Sequence, residues 1–248
     1  MLKTLLLILF GASLLPAQTE SPVVGVGPFL HMVSDLDQSL AFYHDRLGFE
    51  LTGPAGEHKF TDNPAVANLY GVPGKQFRAA VLKISGSAMG IELVQWGEVR
   101  KPKGELISGL GVATLVLRRA GIAQTLHDPD GLPVELEQSE NSGAYLSVSA
   151  KDVGNATALY DSLLGLKSDR IRFTKSENGN RQEVPFPSAG QGMLRVFVHG
   201  IDALIASLKG AGFSVITTGG APVTLPQGPH VIILRDPNNF YLQLMETR

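Results

Sequence analysis

Between residues 23 and 33 apolar positions alternate with small or polar ones, the signature of a strand. At Asp35 the period changes, and Leu36, Leu40, Phe42, Tyr43 and Leu47 fall on one broad side at helical spacing. Asp35 is a good N-cap and Gly48 a good helix end, so the pattern predicts strand, capped helix and sharp glycine exit. Residues 77–84 and 90–96 read as two further strands, with Ser85-Gly86-Ser87 as the turn between them. The stretch 53–74 is rich in Pro and Gly and is predicted to be irregular, and a loop that long inside a domain is usually functional or mobile. Residues 111–117 open another strand, but only nine residues separate Leu117 from His127. No helix fits there, and this unit is expected to be abbreviated. After a polar boundary at 138–143 the pattern resumes as strand 144–150, helix 153–164 and strands reaching about 187. It continues with strand 193–198, helix 201–210 and strands near 213–217, 230–234 and 241–244.

Two phrases occur twice in this pattern. Asp35, Tyr43 and Leu47-Gly48-Phe49 return at the same spacing as Asp152, Tyr160 and Leu164-Gly165-Leu166. Asp128-Pro129-Asp130-Gly131 leading into Val134-Glu135-Leu136 returns as Asp236-Pro237-Asn238-Asn239 leading into Leu242-Gln243-Leu244. Two opening and two closing phrases in this order describe a tandem duplication. The fold class expected is α+β, four βαβββ-type modules with the second abbreviated, grouped as domains over 24–140 and 141–248.

Composition narrows the function classes. At 248 residues and 44% hydrophobic, the chain can bury two ordinary cores. A formal charge of -2 with dispersed acidic and basic residues gives no contiguous positive surface, which argues against a nucleic-acid partner. Cysteine is absent, so disulfides, thiolate nucleophiles and cysteine metal sites are excluded. The first 17 residues have the layout of a signal peptide: Lys3, an apolar run over 4–15, and Leu15-Pro16-Ala17 before polar Gln18. The run is shorter than the ~20 residues that span a bilayer, which favours a cleaved signal over an anchor. The expectation is a periplasmic or secreted protein with no stable membrane association after cleavage near Ala17.

Val33-Ser34-Asp35-Leu36 with Phe42-Tyr43 and Leu47-Gly48-Phe49, then Ile91-Glu92-Leu93, then Asp128-Pro129-Asp130-Gly131 with Val134-Glu135-Leu136, resemble the vicinal oxygen chelate superfamily. That superfamily includes glyoxalase I, bleomycin-resistance proteins and extradiol dioxygenases. The resemblance covers about residues 24–248 and implies two tandem glyoxalase-like domains built of paired modules, whose sheets curl around a cleft. In metal-using members two histidines on opening strands and two carboxylates on closing strands hold a divalent ion, which acidifies or activates a substrate with adjacent oxygens.

Carried over by position, Glu92 and Glu135 occupy carboxylate positions and are the candidate catalytic and metal-binding residues. Pro28 and Val112 stand at the first-half histidine positions, Tyr145 and Met193 at those of the second half, and Gln243 at the final carboxylate. A divalent metal cofactor is therefore expected to bind weakly if at all. His31 is three residues from the histidine position; an odd shift turns a strand side chain to the other face, so it is expected to pack under the helix. Trp96, at a strand end, and Tyr70, in the long loop, are the aromatic residues most suited to line a cleft. The leading function expected is a glyoxalase- or dioxygenase-like enzyme acting on a small molecule with neighbouring oxygens. The alternative is a metal-free protein that sequesters a small ligand; either is expected as monomer or homodimer.

Overall fold

The computed structural model describes residues 21–52, 58–98, 109–166, 169–176 and 185–247. The proposed signal peptide over 1–17 lies outside the described residues. The first module is β1 (Val23–Met32), α1 (Leu36–Leu40) continuing as a π-helix over Ala41–Arg46, β2 (Glu50–Thr52), α2 (Pro64–Leu69), β3 (Phe77–Lys83) and β4 (Gly90–Trp96). The second is β5 (Ala113–Arg119), β6 (Gln124–His127) and β7 (Pro133–Gln138), with no helix between its strands. The third contains β8 (Gly143–Ala150), α3 (Val153–Leu164) and β9 (Ile171–Lys175). The fourth is β10 (Gly192–Val198), α4 (Ile201–Gly210), β11 (Ser214–Val215), β12 (Val223–Thr224), β13 (His230–Arg235) and β14 (Tyr241–Glu246).

Local chemistry accounts for the helix ends. Asp35 accepts from the Asp37 and Gln38 N–H groups, and Asp152 from that of Asn155, so both copies of the opening phrase use the same cap. The expected loop over 53–74 contains a short helix instead, α2. Asn63 caps it by accepting from the Ala65 and Val66 N–H groups, and Pro64 begins it. The Asn-Pro step is a helix start in its own right; the surrounding Pro and Gly residues masked it.

Two mixed sheets result. One runs β11-β13-β14-β10-β1-β4-β3-β2, with β12 also on β13; the other runs β6-β7-β5-β8-β9. The central contact of the first is β1 against β10, antiparallel, and that of the second is β5 against β8, also antiparallel. The first module thus pairs with the fourth and the second with the third. β7 and β8, on either side of the 138–143 boundary, share one sheet, so neither sheet is confined to 24–140 or to 141–248. Each half contributes two modules, but both sheets are shared between halves. Modules with the same alternation can close a sheet in more than one combination, and local pattern does not choose among them.

The faces of both sheets that carry α1, α3 and α4 share one core, from Phe29, Tyr43 and Leu82 through Leu115 and Leu146 to Tyr160, Val196, Leu208 and Leu244. A second, smaller core covers the opposite face of the large sheet, where Leu30, Met32, Val94, Trp96, Met193, Ile233 and Tyr241 meet Ala67, Leu69 and Tyr70. The α2 segment of the first module therefore closes over strands contributed by the fourth.

Candidate functional site

Each helix-bearing half locks its opening phrase to its closing phrase through a buried tyrosine and aspartate. The Tyr43 hydroxyl donates to Asp128 Oδ2 at 3.1 Å, and the Tyr160 hydroxyl donates to Asp236 Oδ2 at 2.9 Å. The other carboxylate oxygen organises the turn: Asp128 Oδ1 accepts from the N–H groups of Asp130 and Leu132, and Asp236 Oδ1 from that of Phe240. The repeated phrases are explained by this contact, which ties adjacent modules together by their helices and turns.

The two copies differ in what the opening strand presents to the aspartate. In the first, His31 Nε2 donates to Asp128 Oδ2 at 2.5 Å, while Nδ1 faces the Gln191 carbonyl at 3.2 Å. Both ring nitrogens meet acceptors, so both carry protons and the ring is the imidazolium. Burial by itself would lower the pKa of His31, but the charge and hydrogen bond of Asp128 raise it above its ordinary value. Burial would likewise raise Asp128, and the His31 cation holds it below the usual carboxylate range. His31 is fully buried, stacked on Phe29 and edge-on to Tyr43, under the helix as its strand parity predicted. In the second copy the position equivalent to His31, counted from the Asp35 and Asp152 caps, is Val148. Asp236 lacks a counter-charge there, and burial pushes its pKa up to about 6.

Glu92 and Glu135 do not come together. Glu92 lies on β4 of the large sheet, and Glu135 is exposed on β7 of the small one. The first-with-fourth pairing separates them, because it brings the closing strand of the fourth module, not of the second, into the same cleft as Glu92. On the small sheet Tyr145 lies beneath the Arg172 guanidinium, 3.9 Å from the ring centroid, and its hydroxyl donates to Glu137 at 2.8 Å. Val112 opens that sheet and offers no ligand.

On the large sheet, opposite the helices, Glu92 is taken by Arg195, with Nη1 to Oε2 at 2.9 Å and both side chains 17% exposed. Arg195 Nε also donates to Gln243 Oε1 at 2.5 Å. Tyr70 is hydrogen-bonded with Gln243; burial and the nearby Glu92 hold its pKa well above the ordinary phenol value. Around this polar centre stand packed aromatic rings: Tyr70 tilted against Trp96 at 5.0 Å, Tyr70 stacked on Phe186 at 5.9 Å, and Phe186 stacked on Tyr241 at 4.6 Å. Trp96 Nε1 is buried with no hydrogen-bond partner among the described residues. A cavity of about 150 Å³ opens beside Trp96, walled by Val72, Phe186 and Pro187 and by the ion-paired Lys75 and Glu98. Sequence reasoning pointed to Trp96 and Tyr70, and both line this face; it missed Arg195 and Phe186.

Residues 25–136 match the model of the glyoxalase/bleomycin resistance protein/dioxygenase superfamily. Likeness of fold reaches further along the chain. Glyoxalase I from Zea mays, at 15% identity, aligns over 88% of this chain and 90% of its own with a TM-score of 0.59. Residues 25–136 of this chain carry the sequence pattern of that superfamily. A putative dioxygenase from Bacillus subtilis subsp. subtilis str. 168 aligns at 13% identity and TM-score 0.55 over 91% of this chain and 86% of its own. The cppA protein from Streptococcus pneumoniae TIGR4 does so at 11% and 0.52, over 91% and 99%. No functionally curated protein matches the chain. At these identities the likeness carries the fold and not the activity.

The residues at the superfamily's ligand positions do not fit a divalent ion in the large sheet. Pro28 has no donor atom, Met193 offers a thioether and Gln243 an amide, and the one carboxylate, Glu92, is engaged by a guanidinium. No group of three or more His, Asp or Glu side chains suited to hold a metal occurs among the described residues.

Proposed function

We propose that this protein binds a small, uncharged, ring-sized molecule against Trp96 and Phe186, without a metal, as a ligand-sequestering member of the superfamily. The observation that carries this reading is a cavity of about 150 Å³ between Trp96 and Phe186, roughly the volume that accommodates a benzene-sized molecule. Lys75 and Glu98, which also line it, neutralise each other, so the cavity carries little net charge. Glyoxalase- or dioxygenase-like chemistry is less well supported. It would need Glu92 free to act as a base or ligand, and the second candidate carboxylate, Glu135, belongs to the other sheet.

Trp96 is the only tryptophan in the chain, so its emission reports on this wall alone. Titration with phenol or benzyl alcohol is expected to change that emission saturably. Val72→Phe, which fills the cavity, is expected to weaken the response roughly tenfold or more, since apolar contact sets affinity in such sites. A response that is unsaturable, or unaltered in Val72→Phe, overturns the reading. We further propose that the protein acts outside the cytoplasm, as Lys3, the apolar run and Ala17 imply. N-terminal sequencing from its host is expected to begin near Gln18, and an intact Met1 in the membrane fraction contradicts this.

A further inference from the structure

We propose that the guanidinium of Arg195 is the resident cation of the large sheet's cleft, held by Glu92 and Gln243 in place of a divalent ion. Three features of the chain converge on this. Glu92 on β4 and Gln243 on β14 belong to closing strands from opposite ends of the sequence, and the β14-β10-β1-β4 order puts β10 and β1 between them. Arg195 lies beside Gln243 in register on β10, yet its Nη1 reaches Glu92 two strands away. That reach requires β1 to leave room for the arginine stem where it lies opposite Arg195.

β1 meets the requirement. Its pairing with β10 shifts register between Val26 and Phe29, so Gly27 and Pro28 together stand opposite Arg195. Such a bulge re-aims side chains and suits Gly and Pro. A Cβ at Gly27 would lie 3.0–3.1 Å from Cβ, Cγ and Cδ of Arg195, so the glycine clears the path of the arginine stem. The planar fork then satisfies an amide with Nε and a carboxylate with Nη1, a geometry that lysine lacks. Nη2 has no partner among the described residues and remains available to an acceptor. A fixed positive charge thus occupies the point to which both closing strands direct their oxygens. This inference shares its face of the sheet with the proposed ligand site but does not depend on any ligand binding there.

The test is metal content by mass spectrometry after loading with Ni²⁺ or Zn²⁺ and dialysis, on the full mature chain. The wild type is expected to retain far less than one equivalent. Arg195→His combined with Gln243→Glu replaces the guanidinium by an imidazole and the amide by a carboxylate beside Glu92. That variant is expected to retain about one equivalent and to bind roughly tenfold or more tightly than the wild type, as imidazole and carboxylate donors dictate. A wild type that keeps one equivalent, and loses it in Glu92→Gln, overturns the proposal. So does a folded double variant that binds no better than the wild type. Should the double variant not fold, thermal melting decides. Arg195→Met and Gly27→Val are expected to lower the melting temperature less in combination than the sum of their separate effects, because both break one clamp, and Arg195→Lys is expected to lower it less than Arg195→Met. Strict additivity of the first two, or equal losses in Lys and Met, overturns it.

Discussion

His31→Val is expected to cost roughly 3–5 kcal/mol of stability at pH 7, the usual consequence of stripping one partner from a buried ion pair. The loss comes less from the missing contact than from the charge left behind. Asp128 would keep its turn N–H bonds and the Tyr43 hydroxyl but lose its cation in a fully buried setting. Adding Asp128→Asn should recover much of the loss, because the uncompensated charge is then gone.

The pH dependence follows from the directions of the two shifts. The raised pKa of His31 gives stability fully present below its unfolded value of 6.5 and lost as pH rises through the folded value. The lowered pKa of Asp128 gives stability present above 3.8 and lost as pH falls through the folded value. The pair therefore stabilises the fold across the window between Asp128's depressed pKa and His31's elevated one. Urea unfolding of wild type, single and double variants at several pH values reads all three claims. Equal stability of wild type and His31→Val at pH 7 would remove the ion pair as a stabilising element.

The second half is expected to behave in the opposite sense. Asp236 rises from 3.8 to about 6 through burial, so folding favours its protonated form. That contribution is complete below pH 3.8 and is lost as pH rises through about 6, a change of roughly 3 kcal/mol for a shift of this size. Asp236→Asn should match the wild type near pH 4 and exceed it by up to roughly 3 kcal/mol at pH 8, with the Tyr160 hydroxyl turning to accept from the new amide. Val148→His should reproduce the first copy's imidazolium beside Asp236 and bring that carboxyl below its ordinary pKa, reversing the slope. Stability of the wild type and both variants against pH, with an NMR titration of Asp236, separates these outcomes. A wild-type Asp236 titrating near 3.8 would show that its burial is relieved in solution.

The sequence by itself determined the elements and their kinship. Asp35 and Asp152 cap matching helices, Tyr43 and Tyr160 hold the same place in them, and the nine residues between Leu117 and His127 leave the second module without a helix. All of these depend on neighbours a few residues apart or on a phrase repeated whole, so alternation, spacing and capping chemistry suffice to find them. His31 was placed by the same logic, since strand parity is a local property.

Only the tertiary structure decided which modules share a sheet, and with that which side chains meet. Glu92 and Glu135 look equivalent along the chain, but the pairing of first with fourth module leaves Glu135 exposed on one sheet and gives Glu92 to Arg195, 103 positions away, on the other. Gly25-Val26-Gly27-Pro28 carries a legible hint of a bulge, yet its purpose exists only when Arg195 lies across it. The α2 segment and Phe186 likewise join the cleft only because the fourth module's strands lie beneath them. The physical reason is common to all three. Partners drawn from opposite ends of the chain are selected by the total burial and closure of the assembled sheets, and several assemblies satisfy the same local pattern equally well.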